Sequence, residues 1–128
     1  MISHVAAIIA YVAAAIVAVW GVAHAVPTAR VLAGFAPITA DNRRIVLQEW
    51  LAEAITMWGI AAMVIVATAV GAHDADVRQW VYRVAAGLLV ALGALTAMTG
   101  ARTPVVWFKV CPLLLACSAG LLVAASLL

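Results

Sequence analysis

Charged side chains are scarce in this sequence. Asp, Glu, Lys and Arg make up 9% of its 128 residues, whereas 69% are hydrophobic and the mean hydropathy is +1.21. A soluble domain needs far more charge to cover its surface. The composition therefore excludes a water-soluble globular domain and predicts a chain whose solvent is lipid.

Several chemical signatures are missing as well. The sequence has no GxxxxGK[ST], GxGxxG, GxSxG or HExxH motif. Its seven Lys and Arg residues are too few and too scattered for a nucleic-acid surface. Cys111 and Cys117 form neither a CxxC nor a zinc pattern, and His4 and His73 lack the neighbours of a metal site. We therefore expect no nucleic-acid partner, no metal and no cofactor, and two unpaired cysteines.

Four apolar stretches are long enough to cross the hydrocarbon layer, which needs about 20 helical residues. They predict an all-α integral membrane protein, a four-transmembrane-helix bundle that forms a single membrane domain over residues 1–128. The spans are expected at about 2–26, 46–72, 77–99 and 104–127.

The helix ends are marked by residues that stop or cap helices. Pro27 ends the first span, Thr39 or Asp41 caps the long second helix, and Asp74 or Asp76 caps the third. These residues predict helices that begin or end close to them.

The longest connection, residues 27–42, has its own pattern. Apolar residues with one Arg, broken by Gly and Pro, predict a short interfacial helix from Thr28 to Ala33 that covers one end of the bundle. In the fourth helix, Pro104 is expected in the first turn and Pro112 is expected to kink the helix.

Small residues recur at helical spacing and should let helices approach closely. They could join helices of one chain or two copies in a homodimer or other homo-oligomer. They are Ala6, Ala10, Ala14 and Ala18; Gly87 with Ala91 and Gly93 with Ala97; and Ala116, Gly120 and Ala124.

Basic residues predict the orientation. One predicted end carries Arg30, Arg43, Arg44, Arg102 and Lys109, and the other carries Arg78 and Arg83. By the positive-inside rule, both termini lie outside and the loops between spans one and two and spans three and four are cytoplasmic. We expect this arrangement in a bacterial inner (cytoplasmic) membrane.

A polar stripe descends the second span. Asn42, Glu49, Glu53 and Thr56 fall on one helix face, and Glu53 is expected about one turn inside the hydrocarbon. No Lys or Arg lies three or four residues from Glu49 or Glu53, although an unpaired carboxylate there is costly. Two such carboxylates tend to share a proton.

The expected cation partners of these glutamates are His24, Lys109, Arg30, Arg43 and Arg44. We predict a catalytic acid/base site of Glu53, Glu49 and His24. The alternative is an interfacial ion-pair network that fixes helix register. The predicted substrate-binding residues are Trp58, Trp50, Asn42, Arg43, Arg44, Thr56, Lys109 and Phe35.

Most of the large aromatic residues have a simpler interpretation. Trp20, Trp50 and Trp107 lie near one predicted boundary and Trp80 and Tyr82 near the other, as in the aromatic belts of membrane proteins. Trp58 is the exception, because it lies near mid-span, where it could line a pocket and stabilise a cationic group. The alternative is a plain role in facing lipid or in packing.

Residues 24–53 carry a pattern that resembles one found in small uncharacterised bacterial four-helix membrane proteins. It reads H-x-x-P-T from His24, G-F at 34 and 35, D-N-R-R-I from Asp41 and E-W-x-x-E from Glu49. The resemblance covers under a quarter of the chain. It implies a four-helix fold and no particular activity.

These features lead to three hypotheses. The first is a bundle that binds a small lipophilic substrate from the bilayer and acts as a cofactor-independent isomerase or cyclase, with the glutamates moving a proton. The second is a proton-coupled small-molecule transporter or transporter subunit. The third is a structural subunit of a larger membrane complex.

Overall fold

The computed structural model describes residues 2–71 and 74–128, with side chains described from His4 onward. His73, part of the second predicted connection, lies outside the described residues.

Over those ranges the chain forms five α-helices, one 3-10 helix and no strand. They are α1 (Ile2–Ala25), α2 (Thr28–Ala33), α3 (Ala40–Val70), α4 (Ala75–Met98), the 3-10 helix (Gly100–Arg102) and α5 (Val106–Leu127). The predicted all-α class is confirmed, and α1, α3, α4 and α5 are long and apolar enough to cross a membrane.

Two of the predicted caps are made by side chains. The Thr39 hydroxyl accepts a hydrogen bond from the Asn42 backbone N–H at 3.1 Å, and the Asp74 carboxylate accepts one from the Val77 N–H at 3.1 Å. Each satisfies a backbone donor that the first helical turn leaves free. The predicted helix from Thr28 to Ala33 is also confirmed.

The start of the last helix differs from the prediction. Pro104 precedes α5, which begins at Val106. The reason is the 3-10 helix, whose last turn is closed by the Thr103 hydroxyl donating to the Gly100 carbonyl at 2.7 Å. The chain is therefore still in a turn at Pro104. Pro112 lies inside α5 as predicted, and the helix continues on both sides of it.

Around the bundle the long helices follow the order α1, α3, α4, α5. α1 packs on α3 and α5, α4 packs mainly on α5, and α3 meets α4 over a smaller area. The predicted alanine ridge of α1 faces inward, since Ala6, Ala10 and Ala14 are at most 2% exposed. These small side chains let α1 approach its neighbours closely.

The small residues predicted to pack in α4 and α5 lie partly inside the bundle and partly on its outer surface. Gly93 faces α5, where an added Cβ would lie 3.6 Å from the Pro112 carbonyl oxygen and from the Leu115 Cβ. Gly87 and Gly120 face outward, and an added Cβ there would meet no described atom within 4 Å. Part of the small-residue surface therefore faces away from the other described helices.

Tyr82 does not belong to an aromatic belt, so that prediction is wrong. Its side chain is fully buried, and its hydroxyl lies 2.7 Å from the hydroxyl of Thr68, which in turn donates to the Val64 carbonyl. Because the phenol has a polar partner on α3, the whole ring can be buried between the helices. Trp80, two residues earlier, is 62% exposed, and the Arg83 guanidinium lies 5.2 Å from its ring centre.

Trp58 joins α3 to α1. Its indole N–H donates to the Ala18 carbonyl at 3.2 Å, and its ring lies directly over Gly21. A Cβ built on Gly21 would be 2.6 Å from Trp58 Nε1. The absence of a side chain at Gly21 therefore allows this contact between the two helices.

We predict that Gly21→Ala forces the Trp58 indole out of its place and breaks its bond to Ala18. Overpacking of this kind costs about 1–3 kcal/mol. Unfolding in mixed detergent micelles, followed by circular dichroism, measures it. Gly59→Ala is the matched control, because an added Cβ there meets no described atom within 4 Å. Equal stability of the two variants would contradict the prediction.

Candidate functional site

His24 lies in the last turn of α1 and is 8% exposed. Its Nε2 is 3.1 Å from the Trp50 carbonyl oxygen. Since a carbonyl only accepts hydrogen bonds, Nε2 carries a proton and donates it. The imidazole also stacks on the Trp50 indole, with ring centres 3.8 Å apart and planes 19° apart. These two contacts fix the ring against α3.

Glu53 follows Trp50 by three residues and so lies on the same face of α3. Its Oε2 is 3.6 Å from His24 Nε2, and its side chain is 29% exposed. Among the cations expected to pair with this glutamate, the structure places His24 beside it. The proton on Nε2 therefore faces both the Trp50 carbonyl and the Glu53 carboxylate.

α5 contributes Phe108, whose ring packs on Trp50 in a T-shaped arrangement, with ring centres 5.9 Å apart and planes at 83°. Gly100 allows this position, because a Cβ there would lie 3.2 Å from the Phe108 ring. His24, Trp50, Glu53 and Phe108 thus meet at one end of the bundle, and we call them the His24 cluster.

Other predicted site residues do not join the cluster. Glu49 is exposed, and neither it nor Lys109 forms an ion pair within the described residues. Arg44 instead pairs with Asp41 at 2.8 Å on the exposed first turn of α3, which corrects its expected role as a partner of the glutamates. The pairing arises because the two side chains are three residues apart on one helix.

The predicted substrate-binding residues are spread over a wider surface. Asn42 and Arg43 are exposed, Thr56 is exposed and donates its hydroxyl to the Ala52 carbonyl at 2.8 Å, and Phe35 is 48% exposed. Trp58 is occupied by its contact with α1. Of that set, Trp50 alone is within the His24 cluster.

The sequence interpretation missed the inner neighbours of the cluster. The Cys111 thiol is buried beside the Trp20 indole and the Thr96 hydroxyl. The indole N–H of Trp50 is buried with no hydrogen-bond partner in the described part of the chain. Helical spacing offered a signal, since Trp20 is four residues from His24 and Cys111 is three from Phe108.

The arrangement can hold and transfer a proton. A carboxylate that is partly open to its surroundings faces a buried imidazole whose ring is fixed by stacking. Within the described residues no group of three or more His, Cys, Asp or Glu side chains could hold a metal ion. The side chains of the His24 cluster that can give or take a proton are those of His24 and Glu53.

Comparisons with protein-family models, with curated proteins and with solved structures found no match to this chain.

We predict that His24 and Glu53 are coupled in stability. In a double-mutant cycle of His24→Ala and Glu53→Gln, the coupling free energy should be about 1 kcal/mol, as for other polar pairs between membrane helices. Unfolding in mixed micelles measures it. The control cycle pairs His24→Ala with Glu49→Gln, which has no described contact with His24, and should show no coupling. Additivity in the first cycle would show that the pair is not formed.

Proposed function

We propose that this chain is a membrane-embedded bundle that binds a small lipophilic substrate and performs acid/base chemistry on it, as a cofactor-independent isomerase or cyclase. The observation that carries the proposal is the Glu53 carboxylate, 29% exposed and 3.6 Å from the buried His24 imidazole. Packing alone would favour a neutral side chain at this depth, because a carboxylate inside a membrane is costly.

Glu53 is the group that reacts with substrate in this proposal. In its protonated form it transfers a proton to a double bond or an epoxide oxygen of the substrate. A proton then leaves a carbon of the resulting cation and returns to the Glu53 carboxylate, while the His24 imidazole positions that carboxylate. Protons balance over the cycle, so the reaction needs no cofactor. Glu49, one turn nearer the end of α3 and exposed, would exchange protons with water.

The surroundings support a lipophilic rather than a polar substrate. The Glu53 side chain shares the cluster with the rings of Trp50 and Phe108, whose faces and edges can contact an apolar molecule. The connector residue Phe35 is exposed at the same end and could cover a bound molecule.

The small residues on the outer face of α5 favour a second candidate function, a structural subunit or a homo-oligomer such as a homodimer. Ala116, Gly120 and Ala124 are exposed on one face. Small residues are the usual contacts between membrane helices, and an added Cβ at Gly120 meets no described atom within 4 Å. Under this candidate the His24 cluster would only fix helix register.

Turnover can be followed without knowing the substrate. We incubate the purified full-length chain in vesicles of bacterial lipid extract in D2O and record deuterium incorporation into lipid-soluble molecules by mass spectrometry. An acid/base isomerase or cyclase exchanges solvent protons with carbon, so wild type should label a product. Glu53→Gln should reduce labelling about 10²–10⁴-fold, because it removes the general acid.

The control is Asp76→Asn, an exposed acid at the opposite end of the bundle, which should label normally. If Glu53→Gln assembles like wild type and no labelling occurs with either protein, the enzyme proposal is wrong. Proton flux into dye-loaded vesicles that depends on Glu53 would then indicate a transporter. Failure of Glu53→Gln to assemble would indicate a structural subunit.

We further propose that the chain lies in a bacterial inner membrane with both termini outside. The basic residues near the His24 cluster support a cytoplasmic position for that end. Alkaline phosphatase fused after Leu128 should therefore be active, and a green fluorescent protein fused there should be dark. The reverse result would invert the topology and place the His24 cluster on the outer side.

A further inference from the structure

Charge is distributed unequally between the two ends of the bundle. The end that carries the His24 cluster has five cations, Arg30, Arg43, Arg44, Arg102 and Lys109, against three acids, Asp41, Glu49 and Glu53. We call it the basic end. At the opposite end Arg78 and Arg83 are balanced by Asp74 and Asp76. The whole net charge of +2 therefore belongs to one end.

Most of these cations form no ion pair within the described part of the chain. Asp41 is engaged by Arg44, and Glu53 faces His24. Arg30, Arg43, Arg102 and Lys109 are all exposed, and none of them forms an ion pair within the described residues. At least four side chains can thus take an anion from outside the chain.

The same end carries exposed apolar residues beside these cations. α2 buries Leu32 against the bundle while leaving Arg30 exposed, with Val26 and Phe35 exposed on either side at 77% and 48%. Trp107, next but one to Lys109, is 69% exposed. An apolar or aromatic side chain next to a cation is typical of segments at the boundary between acyl chains and headgroups.

We propose that the basic end binds anionic phospholipid headgroups, with Arg30, Arg43 and Lys109 contacting the phosphates while Val26, Phe35 and Trp107 contact the acyl chains. The partner is identified by complementary charge together with this apolar border. A soluble anion would satisfy the cations but would leave the exposed apolar residues in water. This proposal is independent of the acid/base chemistry assigned to Glu53.

The test uses the full chain in nanodiscs of phosphatidylcholine mixed with phosphatidylglycerol. Native mass spectrometry counts the lipids of each type that remain bound after release. Wild type should retain phosphatidylglycerol in preference to phosphatidylcholine. Arg30→Gln, Arg43→Gln and Lys109→Gln, made singly and together, should each weaken this preference about fivefold, and sodium chloride should weaken it in wild type.

Two controls separate a headgroup site from net charge. Arg83→Gln removes the same charge at the opposite end, and Asp41→Asn combined with Arg44→Gln removes a pair that is already neutral. Both should retain phosphatidylglycerol like wild type. Equal retention of the two lipids by wild type, or a loss in Arg83→Gln as large as in Arg43→Gln, would overturn the proposal. The single variants keep the test valid if the triple variant does not fold.

Discussion

Close packing of α1 between α3 and α5 is the contact on which the other features of this bundle depend. Lipid tails are as apolar as leucine, so the hydrophobic effect does not drive helices together inside a membrane, and close contact has to replace it. Ala10 and Ala13 are 0% exposed at this interface, and Gly21 makes room for the Trp58 indole. Because α1 lies so close to α3, the His24 imidazole reaches the backbone at Trp50 and the carboxylate of Glu53.

The polar side chains that form hydrogen bonds in the spans do so in two different ways. The hydroxyls of Thr56, Thr68 and Thr96 donate to the carbonyl four residues earlier on their own helix, which costs no contact with a neighbour. Other groups bond between helices: His24 and Trp58 join α1 to α3, Tyr82 meets Thr68 across α3 and α4, and Arg83 lies 3.4 Å from Ser126 of α5. Such bonds fix the register of neighbouring helices along their axes. Contacts between small apolar side chains alone do not fix it.

The sequence predicted features that depend on neighbouring residues in the chain, but not features that depend on how the helices pack together. Helix class, the caps at Thr39 and Asp74 and the short α2 depend on a few consecutive residues, and the structure agrees with them. The burial of Tyr82 and the contact of Trp58 with Gly21 depend on how helices rotate about their axes. Helical periodicity is weak where both faces of a span are apolar, so the sequence carried little information about that rotation.

The sequence also predicted part of the candidate site. Glu53 lacked a cation on its own helix, which required a partner from another element, and His24 was among the few candidates. The choice between His24, Lys109 and the arginines needed the structure. The pairing of Arg44 with Asp41 follows from their spacing of three residues on α3. The buried neighbours Cys111 and Trp20 gave no polar signal, because such residues are common in any apolar helix.

The remaining question is whether register alone accounts for the His24 cluster. The imidazole already has an acceptor, since the Trp50 carbonyl lies 3.1 Å from Nε2, and the stacking on the indole fixes its plane. Those contacts hold α1 against α3 with no help from residue 53. A carboxylate at that position adds desolvation and a distance of 3.6 Å to Nε2, too long for a strong hydrogen bond. The pairing with His24, worth about 1 kcal/mol, offsets only part of that desolvation. We therefore propose that Glu53 exchanges a proton and that His24 positions it.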